Sequence, residues 1–544
     1  GLQLGIATRI RHVVEIACWE IDLRPFAHQP VATTEWGTSR RHAGLLLEDA
    51  LNQRIPQIWD VWTENGQERR ELNTEATEAA KEKLARLKTA FEHWVWTEPE
   101  RAEGLARLYN DRFNNLVTRH FDGNHLQLPG ASSAVQLHAH QKRVIWRIIA
   151  TGATYIAHAV GAGKTFSIVA AIMEQKRLGL IGKAMLVVPG HCLAQASREF
   201  LQLYPNAAIL VADDTSFAAA RRLRFMARAA TGVWDCIIVT HSAFKLIPTP
   251  VAFERQLIAQ QMASYGLLLE RLDGEDRLAR KRIERMKEGF EQRLEALKGR
   301  TDDMLTIAEL GIDQIVVDEA QEFRKLTFAT NMTALKGIDP DGSQRAWDLL
   351  VKARYVATRQ PTRPLLLASG TPITNTMGEL YTVQRFLQPE LLAANGLHEF
   401  DAWAAAFGET RTELELQPSG RYKPVTRFCE FVNVPELIAM FRMVADVMVK
   451  DDLRHLLQLP RIAGGRRQIL TASPSPAFKV YQKQLEQRIK AIEARKGRPE
   501  KGDDILLSVI TDGRHAAIDL RLVDPDAGNE PDNKLNLLIG QAHR

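Results

Sequence analysis

Four short apolar runs constrain the fold of this 544-residue chain more than any other feature. They are rich in valine, isoleucine or leucine and read "AMLVVP" (184–189), "DCIIVTH" (235–241), "QIVVDEA" (314–320) and "PLLLASG" (364–370). The runs do not alternate with polar residues, so both faces of the sheet that they form must be covered. This pattern predicts an α/β fold, in which helices flank a parallel sheet and ligands bind at the carboxyl ends of the strands.

A glycine-rich loop lies between an apolar run and a helical pattern, in "HAVGAGKTFS" (158–167). Gly161 and Gly163 have no side chains, so backbone N–H groups can face phosphate oxygens at the start of the following helix. Lys164 supplies positive charge for the terminal phosphates, and Thr165 supplies a hydroxyl that can ligate magnesium. The segment therefore predicts a phosphate-binding loop, with a purely structural glycine turn as the alternative.

Two adjacent carboxylates, Asp318 and Glu319, follow the third apolar run. Asp318 is placed to hold magnesium through water, and Glu319 to orient and deprotonate the water that attacks a phosphoryl group. Adjacent carboxylates at the end of a buried strand are costly unless a cation compensates them. A solvated loop or helix cap is the other interpretation, but the presence of Lys164 and Thr165 favours a site for ATP and magnesium.

Small polar residues follow the fourth run, and a glutamine precedes the glycine loop. Ser369, Gly370 and Thr371 can hydrogen-bond across to the acidic loop, although Thr371 is also a candidate helix N-cap. Gln141, in "LHAHQKRVIW", has the amide donor and acceptor needed to read an adenine edge. A solvated glutamine on a helix surface is the simpler alternative.

The remaining sequence predicts the domain organisation. Residues 1–130 form a mostly helical N-terminal region, because their apolar positions recur three and four apart. Residues 131–250 and 301–440 form the α/β lobe, residues 251–300 form an inserted helical hairpin, and residues 441–544 form a helical extension. Four aromatic residues of the N-terminal region are predicted to lie in its core: Trp94, Trp96, Tyr109 and Phe113.

The second arm of the predicted hairpin is both amphipathic and basic. Its apolar residues at three-four spacing are Ile283, Met286, Phe290, Leu294 and Leu297. Its basic residues are Arg277, Arg280, Lys281, Arg282, Arg285 and Lys287. A prong that contacts nucleic-acid phosphates is one interpretation. Because acidic residues are interleaved, we favour a solvated charged face.

Composition restricts the class of protein. The net charge of +5 does not by itself indicate a nucleic-acid partner. The four cysteines lie far apart without a C-x-x-C pair, which argues against disulfides or a zinc site and favours a reducing cytoplasm. No apolar stretch approaches the roughly 20 residues of a membrane helix. A first residue other than methionine and a helical-looking end, "NKLNLLIGQAHR", indicate a piece of a longer polypeptide.

Taken in order, these motifs resemble the first RecA-like lobe of superfamily 2 helicases and translocases, particularly the Swi/Snf-type group. The resemblance implies that Gln141 contacts adenine and that "GAGKT", which includes Ala162, is motif one. "DEAQ" is similar to motif two, and "SGTPITN" to the motif that couples hydrolysis to DNA movement. The implied coupling residues are Gln321, Ser369, Gly370 and Thr371.

The resemblance also implies a nucleic-acid partner. "VVPGHCLAQASREF" is similar to motif Ia and "VTHS" to the next motif at a strand end. The implied contacts to the backbone of double-stranded DNA come from Pro189, Gly190, His191, Thr240, His241 and Ser242. From about residue 40 to the end, the chain resembles the helicase part of large methylase-helicase proteins of bacterial plasmids, phages and integrative elements.

Some features depart from the resemblance. His158 replaces the first glycine of the usual loop pattern, and His158 and Ala159 stand where Swi/Snf remodellers carry two acids. A second RecA-like lobe with its arginine finger, and a methyltransferase, are expected in a longer polypeptide rather than in this segment. An arginine finger contributes about a thousandfold or more to hydrolysis, so weak ATPase activity is expected of this chain alone.

Three functions are compatible with the sequence. The favoured one is the ATP-binding half of a duplex-DNA translocase of a mobile element, a phage or a defence system. The second is a non-catalytic scaffold that binds ATP and protein partners, which the long helical N-terminal region and the hairpin favour. A kinase or transporter ATPase is disfavoured, because "DEAQ" is followed by "SGTP".

Overall fold

The computed structural model describes the chain in two compact units. The first comprises Gly1–Arg411 and Arg427–Leu456, and the second comprises Thr412–Thr426 and Leu457–Arg544. The structure describes all residues except 1–9, 14–17, 23–28, 65–66, 116, 213–214, 272–276, 299–304, 331, 333–336, 375, 417–421, 454–464, 467–468, 496–501 and 543–544.

The N-terminal region contains two antiparallel β-hairpins as well as helices. Its elements are β1 (Ile10–Val13), β2 (Cys18–Ile21), α1 (Pro30–Thr34), α2 (Ala43–Leu51), β3 (Trp59–Glu64), β4 (Gln67–Leu72), α3 (Thr74–Thr97) and α4 (Pro99–Phe113). The sequence predicted the helices and missed the hairpins. The strands are short, and much of β1 and β3 is exposed, so they carry little hydrophobic periodicity.

Two aromatic residues predicted for the core lie on the surface instead. Trp94 and Trp96 on α3 are 52% and 70% exposed, and α4 buries none of its residues. The Arg101 guanidinium lies 3.7 Å from the centroid of the Trp94 ring, which gives that ring a cation partner in place of a packed one. The prediction was wrong for these two residues, because helical spacing identifies an apolar face but does not show what covers it.

The remaining strands lie in the α/β lobe, except that Thr412–Thr426, within one hairpin, belong to the second unit. In chain order they are β5 (Thr154–His158), β6 (Ala184–Val188), β7 (Ile209–Ala212), β8 (Cys236–Thr240), β9 (Gln314–Asp318), β10 (Leu365–Ala368), the hairpin strands β11 (Gly408–Leu416) and β12 (Tyr422–Phe431), and β13 (Ala445–Met448). Seven of them form a parallel sheet in the order β13-β5-β10-β9-β6-β8-β7. Since β13 belongs to this sheet, the lobe extends past the predicted boundary at residue 440.

Helices connect and cover these strands. They are α5 (Ala139–Thr151), α6 (Lys164–Arg177), α7 (Leu193–Leu203), α8 (Ala219–Thr231), α9 (His241–Lys245), α10 (Val251–Arg271), α11 (Arg277–Lys298), α12 (Gln344–Ala357), α13 (Gly378–Leu387), α14 (Pro389–Ala394), α15 (Phe400–Phe407) and α16 (Val434–Arg442). Short 3₁₀ turns follow two of the strands, at Gly190–Cys192 and Ala320–Phe323.

The two faces of the sheet belong to different cores. On β6, Met185 and Val187 lie in one hydrophobic cluster, whereas Leu186 and Val188 lie in another. Every residue of β6 is buried, which explains why its sequence shows no polar alternation. The predicted parallel sheet with helices on both faces is confirmed, and each of the four apolar runs contains one of its strands.

The inserted helices α10 and α11 pack against each other and against the lobe. Tyr265 on α10 lies 5.8 Å from Phe290 on α11, and Phe290 lies 4.8 Å from Trp347 on α12, measured between ring centroids. The basic residues Arg280 and Lys281 are exposed, and Arg280 pairs with Glu284 at 3.1 Å. The side chains of Arg277 and Arg282 lie outside the described residues.

The second unit is helical over most of its described residues. It contains α17 (Pro476–Ala494), α18 (Leu506–Ala516), a 3₁₀ turn at Leu520–Leu522 and α19 (Lys534–Ala542). Arg488 on α17 forms ion pairs with Asp504, just before α18, and with Asp512 on it. Across the described parts of both units, no helix has the length and apolar character needed to cross a membrane.

Candidate functional site

The glycine loop joins the end of β5 to the start of α6. Gly161 has a φ of +90° and Gly163 a φ of +71°, in the left-handed region that side chains disfavour. A Cβ atom on Gly163 would lie 2.6 Å from Nε2 of Gln141, which is too close for any real contact. Both backbone conformation and space therefore require glycine at residue 163.

Gln141 supports this loop directly. Its side chain is 3% exposed, and its Nε2 donates to the carbonyl of Gly163 at 3.0 Å. Its Oε1 accepts from the N–H of His138 at 2.8 Å, which caps α5. The glutamine is therefore buried rather than solvated, and its amide is bonded within the protein at both ends. The predicted contact with adenine stays a prediction.

Lys164 and Thr165 form the first turn of α6. The Lys164 ammonium donates to the carbonyl of His158 at 3.3 Å, so it lies across the start of the loop. Both side chains are only partly buried. Free N–H groups and the helix dipole make this end of α6 favourable for an anion. The predicted phosphate ligands therefore lie together at the carboxyl end of β5.

The acidic pair follows β9. The N–H of Glu319 donates to Oδ1 of Asp318 at 3.0 Å, and Glu319 has a φ of +53°. Left-handed backbone at a non-glycine residue is uncommon and marks a constrained position. Burial raises the pKa of Asp318 to about 6; the Glu319 carboxylate adds to this rise, and the Lys164 ammonium opposes it. The Lys164 ammonium thus acts on Asp318, and the pairing of β10 with both β5 and β9 places the glycine loop and the acidic pair at the same edge of the sheet.

A chain of hydrogen bonds connects the acidic pair to the end of β10. Gln321 donates from Nε2 to Oε2 of Glu319 at 2.5 Å, and the Ser369 hydroxyl donates to Oε1 of Gln321 at 2.6 Å. The N–H of Thr371 donates to Oγ of Ser369 at 3.0 Å. The residues after β10 thus bond across to the acidic loop through Ser369, as the sequence suggested. Thr371 does not cap a helix, since α13 begins only at Gly378.

Gly370 allows close contact between two of these loops. A Cβ atom at this position would lie 3.1 Å from Cγ2 and 3.3 Å from the backbone nitrogen of Val160 in the glycine loop. The loops after β5 and β10 therefore approach so closely that a side chain at residue 370 would push them apart. β10 pairs with β5 on one side and with β9 on the other, which places the three motifs side by side.

The residues predicted to contact DNA fall into two groups, those exposed to solvent and those buried in the lobe. Gly190, His191 and Ser242 are exposed at strand ends, whereas Pro189 is buried. Thr240 is 2% exposed, and its hydroxyl oxygen accepts from the N–H of Ala243 as the N-cap of α9. The following residue, His241, is 8% exposed and lies 3.0 Å from the carbonyl of Asp318 through Nε2. The side chains of Thr240 and His241 thus make hydrogen bonds inside the lobe, and their contact with DNA stays a prediction.

Sequence reasoning missed Asp446 and gave no role to His158. His158 is fully buried, and its Nε2 lies 2.8 Å from Oδ1 of Asp446 on β13. Arg143 donates two hydrogen bonds to the same carboxylate. Burial raises the pKa of Asp446, but the bonds from His158 and Arg143 outweigh it and lower the pKa to about 2. The only signal in the sequence was an acid inside the apolar run "MVADVMV" (443–449).

The residues present fit magnesium bound together with a nucleotide. The site has the Thr165 hydroxyl and the Asp318 carboxylate, and because burial raises the pKa of Asp318, a cation bound beside it would compensate the buried negative charge. Across the described residues, no group of three or more His, Cys, Asp and Glu side chains is arranged to hold a metal ion. Few protein ligands are typical of magnesium, which keeps water and substrate phosphates as its other ligands.

The fold and these loops define a RecA-like α/β lobe with a P-loop-type glycine turn. Residues 146–449 match the family described as a probable helicase domain. This match covers more than half of the chain and the whole seven-stranded sheet, so the chain belongs to that helicase-domain family. Residues 2–115 match a separate domain of unknown function. The prediction of a helicase-type lobe is confirmed.

One curated relative is the defense against restriction protein B of Escherichia phage P1. It is 22% identical over 499 residues, which cover 81% of this chain and 22% of the relative. The chain thus spans less than a quarter of the length of the relative it matches. Two solved structures of the SWI2/SNF2 ATPase core of Sulfolobus solfataricus are also similar, one of them in complex with double-stranded DNA.

The likeness to both solved structures is distant. The DNA-bound core has 15% sequence identity and a TM-score of 0.33, with 77% of this chain and 65% of that chain covered. The other has 15% identity and a TM-score of 0.31, with 79% and 68% covered.

Proposed function

We propose that this chain is the ATP-binding half of a Swi/Snf-type motor that moves along double-stranded DNA. The observation that carries the proposal is the arrangement at the carboxyl edge of β5, β9 and β10. There the Lys164 loop interacts with Asp318, and Glu319 is connected through Gln321 to Ser369. A purely structural glycine turn would need neither the paired acids nor this connection between loops.

Each residue has a defined role in the proposed hydrolysis. Lys164 and the N–H groups of the loop bind the terminal phosphates, and Thr165 and Asp318 hold magnesium. Bound magnesium supplies positive charge for the transferred phosphoryl group. Glu319 orients the attacking water and accepts its proton. Gln321 holds the Glu319 carboxylate in place, because it donates to Oε2 at 2.5 Å.

DNA is proposed to bind through its backbone at the exposed strand ends. Gly190 and His191 after β6 and Ser242 after β8 are exposed, and β6 and β8 are neighbours in the sheet. Phosphate contacts of this kind track a duplex without reading its sequence. Their strength should fall with rising salt, because binding releases counterions from the DNA.

A longer protein is proposed to complete the motor. A second RecA-like lobe would supply the arginine finger, and a methyltransferase domain would accompany it, as in methylase-helicase proteins of mobile elements. The similarity to a phage protein named for defense against restriction, of which this chain covers 22%, supports a role in such a mobile element.

A cytoplasmic location is also part of the proposal. The described cysteines Cys18, Cys192, Cys236 and Cys429 are all free, which supports it.

The test is DNA-stimulated ATP hydrolysis by the full-length protein that contains this chain. Duplex DNA should raise the ATPase rate, and DNA affinity should fall as salt rises. Lys164→Ala should abolish ATP binding, whereas Glu319→Gln should keep binding and abolish hydrolysis. If duplex DNA leaves the rate unchanged, or if Glu319→Gln keeps full biological activity, the chain is not a motor. A scaffold that binds ATP without working on DNA would give the second result.

A further inference from the structure

The buried pair of His158 and Asp446 lies directly behind the glycine loop. His158 is the last residue of β5, at the position where the usual loop pattern has its first glycine. Its φ is not positive, so the backbone does not require glycine there. Its imidazole is fully buried and lies 2.8 Å from the Asp446 carboxylate on the neighbouring strand β13. A side chain at this position is therefore built into the lobe rather than merely tolerated.

The backbone around this pair holds the loop at several points. The carbonyl of His158 accepts from the Lys164 ammonium at 3.3 Å, and the N–H of Ala159 donates to the carbonyl of Met448 at 2.9 Å. Residues 158 and 159 are thus held by β13, and Lys164 is held by residue 158. A shift of His158 would move both the start of the loop and the anchor of its lysine.

A second imidazole connects His158 to the other end of the loop. His140 on α5 is 4% exposed, and its Nε2 lies 2.8 Å from the carbonyl of Ala162. The rings of His140 and His158 meet edge to face, with 5.7 Å between their centroids. Displacement of the His158 ring would therefore also disturb the residue that supports Ala162.

Arg143 completes the pair on its more exposed side. It donates to both oxygens of Asp446, at 3.1 and 2.7 Å, and its side chain is 36% exposed. Asp446 thus receives hydrogen bonds from β5 through His158 and from α5 through Arg143. The carboxylate thus ties α5, which carries His140 and Gln141, to β5, which leads into the glycine loop, and it does so from a strand that contributes no predicted ligand.

We propose that Asp446, acting through His158, is a positioning residue that holds the glycine loop in the geometry that binds the phosphates of ATP. The inference rests on the proposed function, since it assigns these residues to the same nucleotide site. Small displacements of groups that position a substrate commonly cost about a hundredfold in activity. Residues behind a binding site that orient its ligands often contribute about 10–100-fold in affinity.

The experiment compares matched substitutions by titration with a fluorescent ATP analogue and magnesium. His158→Leu removes the hydrogen-bonding ring, whereas His158→Gln keeps a donor near the position of Nε2. Asp446→Leu removes the acceptor, whereas Asp446→Asn keeps one. Each leucine variant should raise the Kd at least about tenfold, and each amide variant should stay within about threefold of the wild-type value.

A buried polar residue at the amino ends of the strands, on the side of the sheet away from the glycine loop, serves as the control. Gln314, at the start of β9, is fully buried and pairs with Gln175 at 3.1 Å. Gln314→Leu should lower the unfolding temperature, as the other leucine substitutions do, but leave the Kd unchanged. If Gln314→Leu weakens binding as much as His158→Leu at the same loss of unfolding temperature, the effect is general destabilisation and the inference is wrong.

Arg143→Met keeps the inference testable if a leucine variant does not fold. It removes one partner of Asp446 at a partly exposed position and should raise the Kd about threefold; an unchanged Kd would overturn the inference.

Lys164→Ala distinguishes a failure of the proposed function from a failure of the inference about His158 and Asp446. If the wild-type chain does not bind, or if Lys164→Ala binds equally well, the proposed function fails and the inference with it. If Lys164→Ala loses binding while the His158 and Asp446 leucine variants keep it, only the inference fails.

Discussion

The hydroxyl of Ser369 donates to the amide oxygen of Gln321 at 2.6 Å, and so joins the loop after β10 to the loop after β9. Gln321 in turn donates to the carboxylate of Glu319 at 2.5 Å. The proposed general base is thus held by a residue whose own orientation is fixed from a neighbouring strand. Two hydrogen bonds would therefore transmit a movement of the β10 loop to Glu319, as the proposed coupling of hydrolysis to DNA movement would require.

Ser369→Ala should therefore impair hydrolysis more than binding. Without the serine hydroxyl, Gln321 loses the bond that orients its amide, and Glu319 is held less firmly. In the full-length protein we expect the DNA-stimulated ATPase rate to fall about tenfold, with the affinity for ATP within about twofold of wild type. Steady-state kinetics and equilibrium binding on the same preparation check this prediction.

The matched control is Ser264→Ala on α10. The Ser264 hydroxyl bonds within its own helix, to the carbonyl of Gln260 at 3.4 Å, so its removal should leave both rate and affinity unchanged. The proposed connection is contradicted if Ser369→Ala hydrolyses ATP at the wild-type rate, or if its defect lies entirely in ATP affinity.

Two glycines with nearly the same positive φ allow the effect of backbone strain to be distinguished from that of close atomic contact. Gly163 and Gly179 have φ values of +71° and +69°, but only at Gly163 would a Cβ atom meet another atom within 4 Å, namely Nε2 of Gln141. Alanine at either position should cost about 1–2 kcal/mol in the free energy of unfolding. Only Gly163→Ala should also displace Gln141 and weaken ATP binding. Urea unfolding and titration with ATP distinguish the two effects, and equal ATP affinities would contradict the role given to Gln141.

The sequence was sufficient to predict the sheet and the loops at its edge, because unbroken apolar runs identify covered parallel strands. It could not predict which residues support those loops from behind. Asp446 lies 288 residues after His158, and their contact exists only because β13 pairs with β5. The prediction that Trp94 and Trp96 are buried was wrong for a related reason. Periodicity identifies an apolar face of a helix but does not show whether another element packs against it. Thr240 and His241 were assigned to DNA by motif, although the fold uses their side chains inside the lobe.

Asp318→Asn should stabilise the protein while it abolishes hydrolysis. Burial raises the pKa of Asp318 from 3.8 to about 6, so the folded chain retains the proton over a range in which the unfolded chain releases it. The stability that the protonated carboxyl contributes is therefore present below pH 4 and is lost as pH rises to about 6. Two pKa units correspond to about 3 kcal/mol as an upper figure. Asparagine, which does not ionise, avoids this loss.

We expect urea unfolding at pH 7.5 without nucleotide to show Asp318→Asn more stable than wild type by on the order of 2 kcal/mol. The difference should shrink at pH 6 and nearly disappear towards pH 4. Asp111→Asn, at an exposed carboxylate on α4, controls for the loss of one negative charge and should show no such trend. A stability difference that is independent of pH would show that the carboxylate is not buried at a cost.

His191 offers the most direct test of the DNA path. It is exposed just after β6, whereas the other histidine assigned to DNA, His241, is 8% exposed and bonded to the carbonyl of Asp318. Glutamate at residue 191 would place a negative charge where phosphates are proposed to lie, so the affinity for duplex DNA should fall about tenfold at low salt. The loss should be the same for any DNA sequence, because backbone contacts carry no sequence information.

The control is His93→Glu on α3, which makes the same charge change at another exposed histidine and should leave DNA binding unchanged. Filter binding at several salt concentrations measures both variants, and equal losses for the two would mean that DNA does not follow the strand ends.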